Sequence, residues 1–357
     1  MRRGSLRTVV GVLACLLAGT MVATTTTHAA VTTRKAIWGP AQVDGVSQFP
    51  IFAELGAGIW QTGLNWRQAA TRRPARPSDP NDPAYVWPEE LDGQIAEAGR
   101  YGITVLLVVS MTPAWANGGR ADTIAPTNPA DYAAFLAAAS KRYPAVRRWL
   151  LWGEPTKAAN FRPTGRAGAQ RYARMLDASY AALKRVSPRN LVIGGNTYSI
   201  GDVRPLDWIR LLRLPNGKRP RMDFYGHNPF TNRYPRLSQP PIGRGYADFG
   251  DLDTLAETID RYLGRRPDGK KIPIFISEFC LPTDHANWEF NFHLDRPTQA
   301  RWMSQALRVS RTWSRLVTFG YLGLYDFPER PAGDQVESGL ITLEGVRKPA
   351  FRAFARG

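Results

Sequence analysis

Apolar positions along this chain switch repeatedly between two periods. Short apolar runs predict strands at 36–39, 58–63, 104–110, 148–152, 191–194, 222–227, 272–277 and 319–325. Between them, apolar residues recur every three or four positions. Tyr172, Met175, Leu176, Ser179 and Leu183 share one helical face, and Leu252, Leu255, Ile259 and Leu263 share another. Asn128-Pro129-Ala130-Asp131 has the order of a helix start: a cap, a proline at the first helical position and an acid in the first turn. A last helix is expected over 348–355. The Pro-rich stretch 73–83 reads as a loop, and no Ser/Gly linker follows residue 31. Eight strand–helix units without a break predict an α/β fold, a (β/α)8 TIM barrel in one domain over 31–357.

The first thirty residues have a different pattern. Arg2, Arg3 and Arg7 precede an apolar run from about Val9 to Ala23, and the small-residue stretch His28-Ala29-Ala30 follows. That order is expected of a secretory signal peptide, residues 1–30, cleaved to leave an extracellular protein. The run is short for a bilayer span, so no membrane attachment is expected after cleavage. Cys15 would leave with the leader, making Cys280 the one cysteine of residues 31–357 and excluding an intramolecular disulfide. The formal charge is +17, of which Arg2, Arg3 and Arg7 carry three, leaving +14 on residues 31–357. Such a charge favours an anionic partner, such as an acidic or cell-wall polymer. No basic block with interleaved aromatics is present, so nucleic acid is not expected as a partner.

In barrels of this kind chemistry collects at the C-terminal ends of the strands. Two strand ends carry an isolated Glu. In Trp149-Leu150-Leu151-Trp152-Gly153-Glu154-Pro155, strand alternation puts Leu150, Trp152 and Glu154 on one face. In Ile274-Phe275-Ile276-Ser277-Glu278-Phe279, it puts Ile274, Ile276 and Glu278 together, with Phe275 and Phe279 toward the helices. Paired carboxylates suit glycoside hydrolysis. One protonates the leaving oxygen while the other attacks or stabilises an oxocarbenium-like centre, at about 5–5.5 Å separation in retaining enzymes. No metal-ligand spacing is present, and neither a metal nor a cofactor is expected.

Trp152-Gly153-Glu154-Pro155 followed by Ile276-Ser277-Glu278-Phe279 resembles clan A of the glycoside hydrolases, nearest to families five and thirty-nine. The likeness spans nearly all of 31–357 and includes Leu64-Asn65-Trp66, Thr112-Pro113-Ala114-Trp115 and Lys348-Pro349-Ala350. It implies a retaining enzyme that acts on a carbohydrate by double displacement, with Glu154 as acid/base and Glu278 as nucleophile. His227 would lie beside the nucleophile and the sugar, with Asn228 next to it, and Tyr325 would stand where the clan usually has a sugar-platform Trp. Trp38, Trp115 and Trp288 are further candidate sugar contacts, as is Gln61, where relatives often carry Arg. His285 and His293 follow Glu278 in the same loop. One position departs from the clan. Its acid/base Glu usually follows an Asn that binds the sugar 2-hydroxyl, and here Gly153 stands there. That keeps open an alternative, a catalytically impaired barrel that binds glycan. The two glutamates are expected to titrate apart, with Glu278 ionised and Glu154 raised. A monomer with no appended carbohydrate-binding module is expected. Sugar, linkage, anomer and endo or exo cleavage are not encoded in these motifs.

Overall fold

The computed structural model describes residues 34–287, 289–328 and 335–357, within one compact unit, Val31–Gly357. The expected leader and Trp288 lie outside the described residues. Eight parallel strands close into a barrel, each pairing with its neighbours in sequence and the last returning to the first. They are β1 (Arg34–Trp38), β2 (Ile59–Asn65), β3 (Thr104–Ser110), β4 (Arg148–Leu151), β5 (Leu191–Tyr198), β6 (Phe224–Asn228), β7 (Ile274–Ile276) and β8 (Leu316–Tyr321). Parallel neighbours require a crossover, and a helix follows every strand. The crossover helices are α1 (Phe49–Glu54), α2 (Glu89–Arg100), α3 (Pro129–Arg142), α4 (Gly165–Val186), α5 (Pro205–Leu211), α6 (Leu252–Tyr262), α7 (Arg296–Thr312) and α8 (Pro349–Arg356), with short helical turns at Trp66–Ala69 and Ala114–Asn117 in the loops. This is the (β/α)8 barrel expected from the alternation. No helix among the described residues is long and apolar enough to cross a membrane.

Local chemistry explains the helix boundaries. Asn128 caps α3 by accepting from the Ala130 amide at 3.1 Å, Pro129 follows, and Lys141 and Arg142 close the last turn against the helix dipole. The predicted faces are the buried ones: Tyr172, Met175, Leu176, Ser179 and Leu183 on α4, and Leu252, Leu255 and Ile259 on α6. β8 differs from expectation. It starts at Leu316 and stops at Tyr321, because Gly323 turns the chain at φ 89°, and Tyr325 therefore lies beyond the strand.

The barrel interior holds Ala36, Ile59, Leu106, Val108, Leu150, Ile193 and Phe275, with Trp38 and Phe224 partly buried against them. Trp149, Leu151, Ile274 and Ile276 belong instead to the larger core between barrel and helices. Two expected faces are corrected by this. Phe275 points into the barrel and Ile274 and Ile276 point out, the reverse of the expected arrangement. A strand of a parallel barrel is apolar on both sides, so alternation separates its two faces without saying which is inside. Trp152 leaves the Leu150 face because β4 ends at Leu151 and Trp152 takes φ 70°.

Candidate active site

Glu154 follows β4 on a backbone that turns sharply, with φ 70° at Trp152 and 45° at Glu154. Such left-handed conformations cost energy in non-glycine residues, so surrounding contacts must hold them. Trp152 supplies those contacts. Its indole N–H donates to the Asn160 carbonyl at 2.9 Å, and its ring packs edge-on against Phe161 and beside Tyr132. The Tyr172 hydroxyl, donating to the Leu151 carbonyl at 2.6 Å, pins the end of the strand. Thrown outward, Trp152 anchors the turn that presents Glu154, which is 8% exposed.

Two side chains meet the Glu154 carboxylate. Asn228, the last residue of β6, donates through Nδ2 to Oε1 at 2.9 Å. Lys157 Nζ lies 3.3 Å from Oε2, 3.5 Å from Glu289 Oε1, and 4.4 Å from the centre of the Tyr198 ring. Asn228 also reaches the second glutamate, its Oδ1 accepting from the Glu278 backbone N–H at 3.1 Å. The peptide before Glu278 is braced by Gln61. Its Nε2 donates to the Ser277 carbonyl at 2.8 Å, and its Oε1 accepts from the Ser277 hydroxyl at 3.2 Å. Close approach of β8 is part of the same brace: a Cβ on Gly320 would lie 2.2 Å from the Ser277 carbonyl oxygen, so only glycine fits.

Burial raises both carboxyl groups. For Glu278, burial comes first and the Glu154 charge second, and together they push it well above the usual carboxylate range. Glu154 is raised by burial but drawn back by Lys157 and Asn228. This corrects the expectation that Glu278 is the ionised member. Among the described residues the cation and the side-chain donor both sit on Glu154, so in the free protein a proton shared by the pair favours Glu278.

The remaining candidates fall in different places. His227 has no exposed surface and is not in the mouth. It does share a face with Tyr225, but that face is the outer one; Asn228, one residue on, takes the inner position. Nε2–H donates to the Ala247 carbonyl at 3.0 Å, which leaves Nδ1 to accept from the Thr197 hydroxyl at 2.7 Å. Burial, only partly offset by these bonds, pulls its pKa from 6.5 to about 4, so it is a neutral tie between β5, β6 and the loop at Ala247. Gln61 also has no exposed surface, and both amide ends serve Ser277, so it acts on Glu278 through the backbone. Trp115 donates to the Ala70 carbonyl at 2.7 Å, packs edge-on to Trp66 and lies beneath the Arg73 guanidinium. Tyr325 donates to Gln48 Oε1 at 2.7 Å. Trp38 is partly exposed at the end of β1, and its buried Nε1 meets no acceptor among the described residues. His285 is exposed and lies 2.8 Å from a Glu337 oxygen.

Lys157, Glu289 and Tyr198 were not singled out from the sequence. Lys157 is three residues beyond Glu154, a readable signal, whereas Glu289 comes from the distant loop after β7. Beside Glu289 opens a cavity of about 320 Å³ lined by Tyr198, Phe230, Tyr246, Phe290 and Phe292. Around Gly153 there is room, since a Cβ there would meet nothing within 4 Å. Among the described residues no group of three His, Cys, Asp or Glu could hold a metal ion.

Comparison with solved structures matches this architecture to that of known enzymes. A family 39 glycoside hydrolase from the gut symbiont Bacteroides cellulosilyticus WH2 superposes with a TM-score of 0.65 at 17% identity, over 91% of this chain and 63% of that protein. It shares its fold with glycoside hydrolases. A glucosidase from Croceicoccus marinus gives 0.62 at 15% identity, over 91% and 65% of the two chains. A monomeric beta-xylosidase from Caulobacter crescentus CB15 gives 0.60 at 16%, over 91% and 67%. This chain thus spans about two thirds of the length of these structures. No protein-family model matches it, and no curated protein matches it in sequence.

Proposed function

We propose that the protein is a secreted retaining glycoside hydrolase acting on a poly- or oligosaccharide, with Glu278 as nucleophile and Glu154 as acid/base. The observation that carries this reading is the placement of two carboxylates after β4 and β7 of a closed barrel, joined through Asn228. In the first step a Glu278 oxygen bonds to the anomeric carbon as the glycosidic bond breaks, and Glu154 gives its proton to the departing oxygen. In the second, water attacks that carbon, Glu154 takes the water's proton and Glu278 leaves as carboxylate. The reactive state therefore has the proton on Glu154, whereas the free protein favours Glu278. Substrate entry must shift it. A glycan that excludes water from the mouth or draws Lys157 away from Glu154 would do so.

Gly153 and the Lys157–Glu154 pair favour a second reading, a barrel that binds glycan without cleaving it. One experiment separates the two. A panel of activated 2-deoxy-2-fluoro glycosides is incubated with the protein, and peptides are analysed by mass spectrometry. A glycosyl adduct on Glu278 is expected. An adduct on another residue overturns the assignment; glycan binding with neither adduct nor turnover of the parent glycosides establishes the non-catalytic reading. Export is tested by N-terminal sequencing of protein from culture medium, with a start at residue 30 or 31 expected.

A further inference from the structure

Outside the mouth, a groove of about 1020 Å³ runs between α7 and α8. Six exposed arginines line it: Arg301, Arg308 and Arg311 from α7, then Arg347, Arg352 and Arg356 at and along α8. The α7 arginines are spaced seven and three residues apart, which places them on one helical face over about 15 Å of helix. Ala300 and Ser304 are the short side chains between them. Glu54 is the one acidic side chain of the lining, and Arg347 holds both of its oxygens, at 2.5 and 2.8 Å. Among the described residues Arg301 and Arg308 donate to the neutral Thr298 and Gln305 side chains, and the Arg301 charge also acts on Asp295 at the start of α7. Among the described residues Arg311, Arg352 and Arg356 make no side-chain hydrogen bond or ion pair.

Helix dipoles account for only part of this arrangement. Like charges three or four residues apart, as at Arg308/Arg311 and Arg352/Arg356, weaken a helix, and the dipole favours only Arg311 and Arg356, in the last turns of α7 and α8. The local field is also felt at the foot of the groove. Lys35 donates to the Phe354 and Ala355 carbonyls at the end of α8, and burial together with the Arg311 charge lowers its pKa to about 8.

We infer that this groove is a non-catalytic binding site for an acidic polysaccharide, whose carboxylates pair with the arginine forks. Guanidinium groups match carboxylates in bidentate geometry, and a row of them suits a linear polyanion. A single-stranded nucleic acid would need ring faces for its bases, and a duplex is set against the polysaccharide in the test below. The one ring in the lining, Phe351, is 2% exposed and already covered by Arg347 at 4.2 Å. A bilayer is too flat to enter a concave groove. Holding such a polymer on the outer wall would keep the protein beside its glycan without occupying the mouth.

The test is titration calorimetry with polygalacturonate between about 50 and 200 mM NaCl. Three proteins are compared: wild type, Arg301→Gln/Arg308→Gln/Arg352→Gln, and the charge-matched Arg100→Gln/Arg185→Gln/Arg189→Gln, which alters exposed arginines elsewhere. Wild-type affinity should fall with salt. The groove variant should bind at least about tenfold more weakly than wild type and show a shallower salt dependence, while the control stays within about twofold. Its melting temperature should not fall, because repulsion is relieved. Arg311→Gln/Arg356→Gln, at the lower end of the groove, provides a second variant should the first fail to fold. Equal losses in groove and control variants would reduce the effect to net charge and overturn the proposal. So would unchanged binding in the groove variants, or tighter binding of duplex DNA than of polygalacturonate with the same dependence on these arginines.

Discussion

Glu154 and Glu278 stand at equivalent places, one after β4 and one after β7, yet the chain holds them by different means. Glu154 is held by side chains: the Asn228 amide and the Lys157 ammonium both meet its carboxylate. Glu278 is held by its backbone, through its own N–H to Asn228 and through the Ser277 carbonyl to Gln61. Backbone restraint positions a carboxyl group without stabilising its charge. Side-chain donors do both. Burial comes first at both, but at Glu278 only the Lys157 charge opposes it, whereas at Glu154 the Lys157 ammonium and the Asn228 amide both do, so the pair's proton favours Glu278.

The largest expected effect breaks the pair at its less stabilised member. Glu278→Ala should lower turnover of an activated aryl glycoside by at least about 10⁴-fold, with azide restoring part of it and giving inverted product. Full residual activity would show that another group attacks the anomeric carbon. Glu154→Gln should cost about 10²–10⁴-fold on substrates with poor leaving groups and much less on activated ones. It should also abolish the alkaline limb of the pH dependence of kcat/KM, because that limb reports loss of the acid proton. A limb that persists would remove Glu154 from that role.

His227 sharpens the contrast between inward Asn228 and its outward neighbour. Its folded pKa, about 4, lies below the ordinary 6.5, so the stability it contributes is complete above pH 6.5 and is lost as pH falls toward 4. The loss should approach about 3 kcal/mol, and denaturant unfolding of His227→Gln should show a flatter pH dependence over that window. An unchanged slope would place the pH sensitivity elsewhere.

Two smaller effects address the acid/base side alone. Gly153→Asn has room for its side chain, and should raise kcat/KM about tenfold on sugars with a 2-hydroxyl but not on 2-deoxy analogues. Equal effects on both would mean that the added amide does not reach that hydroxyl. Lys157→Met removes a positive charge that favours ionised Glu154, so Glu154 should keep its proton to higher pH. The alkaline limb should move to higher pH; a shift downward would mean that Lys157 acts mainly through Glu289.

The sequence by itself determined the number of βα units, the helix faces and caps, and the presence of a lone Glu after the fourth and seventh strands. These are local properties: period, capping chemistry and position along the chain are all written in neighbouring residues. It also carried the Gly153 departure, which the open space around that residue leaves unexplained by packing. Only the tertiary structure decided which faces point inward. Phe275 and Ile276 are equally apolar neighbours, and His227 and Asn228 are equally polar ones, so alternation orders each pair without orienting it. The turn at Trp152, too, depends on Tyr132, Phe161 and Asn160 around the indole. Tertiary structure likewise decided which glutamate is better stabilised as an anion. That depends on distances of a few ångströms among Glu154, Lys157, Asn228 and Glu289, which lie up to 135 positions apart in the chain and are brought together only when the barrel closes.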